Sequence, residues 1–146
     1  MGITSALHIY DFADTRELSS LAPLRTWVRA QLAGLPRGIV QDTELVATEL
    51  VTNAFEHAAG PVALGLELRA DRAVVRVEVE DGGPDLLPAA ATVSPGSYRG
   101  RGLLLVDALS TRWGVEDGHG RKTVWAELPV DRGESGENGH SHSRVL

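Results

Sequence analysis

Glu49 and Asn53 stand four residues apart in the stretch ELVATELVTNAFEHA, Glu44 to Ala58. On a helix, that spacing puts a carboxylate and an amide on one face, about one turn apart. A positioned carboxylate can take a proton, and an amide oxygen can hold a hard cation. Glu56 and His57 continue the polar stripe. Two readings of the stripe stay open: the solvated face of an amphipathic helix, or one wall of a pocket. A further carboxylate, Asp81, ends the run VVRVEVED. Val75, Val77 and Val79 alternate there with Arg76, Glu78 and Glu80, so one face packs on a core and the other meets water. Asp81 shares the phase of the valines, and a carboxylate on the buried side needs a partner. It is either a structural cap or a group that meets a ligand. The third candidate is Gly100-Arg101-Gly102-Leu103, a glycine-containing loop that runs into a helix. Helix N-termini present free N–H groups and the positive end of the dipole, which suits phosphate. Taken alone, GRGL is a weak signal.

These groups need elements to hold them. Residues 6–13, ALHIYDFA, read as a short first strand. Asp14 or Thr15 caps a helix that runs to about Leu32, with Leu18, Leu21, Leu24, Val28 and Leu32 on its apolar side. Pro23 lies inside that span and marks either a kink or the true helix start. Residues 34–38 make a loop, and the helix that carries Glu49 and Asn53 spans about Ile39 to Ala58. Two alternating strands follow, joined by a tight turn at Asp71-Arg72. Residues 82–100, rich in Gly, Pro and Ala, form a long loop of the kind that often serves as a lid. A helix from Arg101 to about Thr111 leads into two last strands, around Trp113–Glu116 and Thr123–Val130. The order predicts an α+β two-layer sandwich, a mixed, mostly antiparallel sheet with helices on one face.

Composition sets the outer bounds. The 146 residues suit one domain, and a chain of this size buries about 70% of the surface it would expose unfolded. The expected division is an ordered domain over 1–130 and a disordered polar tail over 131–146, which carries His140 and His142 without a fixed geometry for metal. The net charge of -6 argues against nucleic acid or an anionic membrane as the main partner. Without cysteine there is no disulfide, thiolate zinc site or cysteine nucleophile. Neither a transmembrane run of about 18 apolar residues nor a signal peptide is visible, so the expected location is cytoplasmic.

Taken together and in this order, the three segments resemble the GHKL ATPase superfamily, which includes histidine kinases, gyrase, heat-shock 90 chaperones and MutL. More closely, the chain resembles the bacterial anti-sigma factor kinases of the SpoIIAB and RsbW type. ELVTNAFEHA stands for the N box, VEVEDGGPDLLP for the first glycine box and GRGLLLVDALSTRWGV for the second, and GRKTVWAEL fits the closing strands. The likeness covers roughly residues 7 to 129.

That resemblance implies a Bergerat-type ATP-binding fold with ATP and magnesium as cofactors. Asn53 matches the magnesium ligand, and Glu49 matches the general base toward a serine or threonine hydroxyl or water. Asp81 matches the aspartate that reads the adenine amino group, and Gly83 the glycine that lets the base lie against backbone. Gly100 and Gly102 match the glycines that let a lid close over the phosphates, with Arg101 and Leu103 beside them. Thr123 matches a threonine that helps bind adenine, although it is out of phase with Val124, Ala126 and Leu128. The implied activity is phosphorylation of an anti-sigma antagonist of the sulfate-transporter-and-antagonist (STAS) type, with a sigma factor or related regulator as binding partner. The alternative is an ATP-dependent binding module that acts by sequestration, without kinase activity. Dimerisation is a further expectation from related proteins. Two departures stand out. Asp85 replaces the last glycine of the first box, and no phosphoacceptor helix precedes the domain, so a complete sensor histidine kinase is not expected. His57 is read as packing or capping the helix end.

Overall fold

The computed structural model describes residues 6–12, 21–57, 61–81, 101–118 and 121–131. The expected cap at Asp14 or Thr15, the loop with Gly83, Asp85 and Gly100, and the tail beyond Asp131 lie outside them. The order of elements is β1 (Ala6–Asp11), α1 (Ala22–Gln31), α2 (Arg37–His57), β2 (Pro61–Arg69), β3 (Val74–Asp81), α3 (Arg101–Leu109), β4 (Arg112–Gly118) and β5 (Arg121–Pro129). The strands form one sheet in the order β1-β2-β3-β5-β4. All four pairings are antiparallel. The fold is the expected α+β sandwich, and its described pairings hold no parallel member.

Alternation decides which face the helices cover. Leu64 and Leu66 of β2, Val75, Val77 and Val79 of β3, and Ala126 and Leu128 of β5 are all buried and in register with one another. Against them lies α2, whose Val46, Ala47, Leu50, Val51 and Ala54 recur at helical spacing and are buried. α2 begins at Arg37, two residues before the expected Ile39, because the Pro36 carbonyl accepts from the N–H groups of Ile39 and Val40 at 3.2 and 3.3 Å. Pro23 lies in the first turn of α1, where its missing N–H leaves no helical bond unmade. It marks the start of the helix rather than a kink.

The two outer helices are fastened by different means. Arg29 of α1 donates to Glu44 of α2 at 3.2 Å, and a chain of rings runs from Trp27 of α1 through Tyr10 of β1 and Phe12, just after β1, to Phe55 of α2. α3 is tied to β4 by Trp113, which is 1% exposed and donates its indole N–H to Asp107 Oδ1 at 2.8 Å.

The helix-free face is not simply solvated. Glu127 is 2% exposed there and takes Arg72 and Arg76 at 3.1 Å each and Arg112 at 3.2 Å, with Arg69 at 3.7 Å. The guanidinium groups of Arg76 and Arg112 lie 4.3 and 5.5 Å from the centroid of Trp125. These contacts bury a large aromatic ring on a face that no helix covers.

Candidate functional site

Chain connectivity decides which ends of the elements meet. α2 ends at His57 and β2 begins at Pro61, which pairs with Asp81. The last turns of α2 and the end of β3 are therefore at the same end of the sandwich. α3 ends at Leu109 and feeds β4, whose first residue, Arg112, pairs with Glu127 at the other end of the sheet. Nine helical residues span about 13 Å, so the N-terminus of α3 returns to the end where Asp81 lies. Asn53, Asp81 and the Arg101-Gly102-Leu103 turn are thus gathered at one end, on the helix-covered side.

Within α2, Glu49 and Asn53 border the buried stripe on one flank, and both are half-buried. The opposite flank carries Glu44, which is bound to α1. With α1 against β1 and α3 against β4, α2 lies between them, so Glu49 and Asn53 face the side of α3. The Asn53 amide has a buried Nδ2 with no hydrogen-bond partner among the described residues. Such a group is costly unless something else meets it. The two ends of an amide are assigned rather than seen, so the same position can equally hold the oxygen, the atom a hard cation needs. A lone amide oxygen suffices for magnesium when phosphates and waters complete the shell. Among the described residues no cluster of three or more acidic or histidine side chains is placed to hold a metal ion.

At the first turn of α3 the N–H groups have no helical acceptor and point outward along the axis. Leu103 is 2% exposed and packs in the core. Its side chain is therefore a packing residue, which leaves the backbone N–H as its group at the helix start. Arg101 and Gly102 open the helix. Gly83 and Gly100 lie outside the described residues.

The histidine kinase-like ATPase domain family matches residues 15–128 of this sequence. The chain belongs to that family. ATP binding is the property the family name carries. No curated protein matches the sequence. Among solved structures, the chain is similar to the RsbU and RsbW domains of Rv1364c from Mycobacterium tuberculosis, with 21% identity and a TM-score of 0.58. The match covers 87% of this chain and 32% of that one, so this chain spans about a third of the length of the solved chain it matches. At that identity the likeness speaks for the fold.

One expected site residue is displaced. Thr123 pairs with Glu80, and both lie on the face opposite Asp81. Together with Glu116, Asp117, Gly118 and Arg121 they line an open recess on the helix-free side. Successive strand residues point to opposite faces, so Thr123 cannot join Asp81 in one pocket. The β5 residue on the Asp81 face is Lys122. It pairs with Asp81 across β3 and β5, has a side chain 8% exposed, and brings Nζ within 3.7 Å of Asp81 Oδ2. Sequence reasoning missed Lys122 although the signal was present. Lys122 is in phase with Val124, Ala126 and Leu128, and the motif drew attention to its neighbour.

No helix among the described residues is long and apolar enough to cross a membrane.

Proposed function

We propose that the protein is an anti-sigma-type regulator that binds ATP with magnesium and phosphorylates a serine or threonine of a STAS-type antagonist. The observation that carries this reading is the meeting of Asn53, Asp81 and the α3 N-terminus at one end of the sandwich, with Glu49 one turn from Asn53. Asp81 accepts from the amino group of the base. The N–H groups of the first turn of α3 hold phosphate oxygens, with Gly102 keeping the backbone open to them. Asn53 offers its amide oxygen to the cation. Glu49 takes the proton of the attacking hydroxyl as the phosphoryl group leaves. Bound magnesium and ATP supply the transferable phosphoryl group and neutralise its charge. The chain's own share is positioning, because phosphoryl transfer leaves a protein little covalent work.

In this reading residues 1–130 form the ATPase domain and 131–146 a polar tail. A sigma factor or related regulator is the partner held, and the site of action is the cytoplasm. The test is transfer of radiolabel from ATP to a cognate antagonist, wild type against Glu49→Ala. Label on the antagonist that disappears in the variant supports the kinase. Saturable ATP binding with no label on any antagonist would leave a nucleotide-controlled binding module instead.

A further inference from the structure

Lys122 and Asp81 are cross-strand partners on the helix-covered face, at the end where α2 and α3 bring their site residues. Lysine is rarely buried without a reason. Here the side chain is 8% exposed, and its carboxylate partner 2%. A buried ion pair adds little net stability compared with apolar residues of the same volume, so stability alone is a weak account of the pair. The contact of 3.7 Å is also long for a hydrogen bond. An ammonium has three protons to place, and one oxygen at that distance does not use them up.

We propose that Lys122 is a second base-reading residue, donating to ring N1 of the purine while Asp81 accepts from its 6-amino group. The inference rests on the reading of this end of the sandwich as the ATP site. Adenine presents a donor, the 6-amino group, next to an acceptor, N1. Asp81 and Lys122 present an acceptor next to a donor, so the two edges are complementary. Inosine and guanine reverse that order, with an acceptor at position 6 and a donor at N1. Asp81 then faces an oxygen and Lys122 faces an N–H, and strand register keeps the two side chains from changing places. Reading a base by its hydrogen-bonding edge gives strong discrimination, because a wrong edge leaves buried polar groups unpaired.

The experiment is isothermal titration of the full chain, with magnesium, against ATP and 1-deaza-ATP, in which N1 is replaced by C–H. Wild type is expected to bind 1-deaza-ATP about tenfold or more weakly than ATP, the size of a hydrogen bond to a charged group. Lys122→Met keeps the aliphatic stem and removes the ammonium. It is expected to bind ATP about as weakly as wild type binds the analogue, and to treat the two ligands alike. Equal binding of both ligands by wild type overturns the proposal without any variant. So does a Lys122→Met protein that keeps the gap between ligands. Circular dichroism checks folding, and Lys122→Leu, which also lacks a donor, replaces the methionine variant if that one does not fold. Wild type that binds no ATP overturns the ATP reading itself, a result distinct from equal binding of ATP and its analogue.

Discussion

Trp113 donates its indole N–H to Asp107 Oδ1 at 2.8 Å, and this bond holds α3 at a fixed angle on β4. Trp113 is nearly fully buried, so its N–H cannot turn to water if the acceptor is lost. Asp107→Ala should lower stability by about 1–3 kcal/mol, the cost of an orphaned buried donor. Urea denaturation measures it. Because the same bond sets where the α3 N-terminus points, the variant should also bind ATP more weakly under conditions where it is fully folded.

Glu127 gives the chain an acid limit. Burial by itself raises the carboxyl pKa. The hydrogen bond from Arg76 and the charges of Arg112, Arg72 and Arg76 overcome that and hold it below its ordinary 4.5. A carboxyl with a depressed folded value contributes stability that is present above the unfolded value and lost as pH falls through the folded one. The thermal midpoint should therefore drop as pH is lowered from about 4.5. Glu127→Gln should flatten that part of the profile. At neutral pH the variant should be less stable by about 3–5 kcal/mol, since several arginines lose their common partner.

The two faces of the sheet, Asp81 of β3 on one and Thr123 of β5 on the other, should respond differently. Asp81→Asn should weaken ATP binding by about tenfold or more, as an amide cannot replace a charged acceptor without reorienting. Thr123→Val, on the far face, should leave ATP affinity unchanged. Titration of both variants decides the point, and a large loss in the threonine variant would speak against the register argument.

Glu49 and Asn53 should separate chemistry from binding. Glu49→Gln should keep ATP affinity within a few-fold and lower phosphoryl transfer by about a hundredfold or more, the usual worth of a general base. Asn53→Ala should weaken ATP binding in magnesium and leave binding in EDTA unaffected. Titration in both buffers distinguishes a cation ligand from a packing residue.

How much of this could be read from the sequence depends on whether a feature is local. The phase of β3 alone placed Asp81 inward, and the burial of Val75, Val77 and Val79 agrees. The spacing of Glu49 and Asn53 needed only a helix. For Thr123 the motif and the phase disagree in the sequence itself, and the register with β3 sets it opposite Glu80, on the face away from Asp81. Pro23 stayed ambiguous for a similar reason. Its chemistry permits a kink or a start, and only the boundary of α1 separates the two. The Glu127 cluster had no local signal at all. Its arginines come from β2, the turn after it, β3 and β4, and become neighbours only once β5 is inserted between β3 and β4.

The short passage from His57 to Pro61 has a thermodynamic corollary. A nucleotide that touches Asn53, Asp81 and the start of α3 bridges a helix, a central strand and a second helix that the backbone itself joins at the far end or by a few residues. It closes a ring that the polypeptide leaves open. Occupancy then becomes part of the cohesion of the molecule: at a hundred times its dissociation constant, a ligand adds about 2.7 kcal/mol to the folded state. On the ATP reading, the melting temperature rises with nucleotide concentration, which a thermal shift series measures.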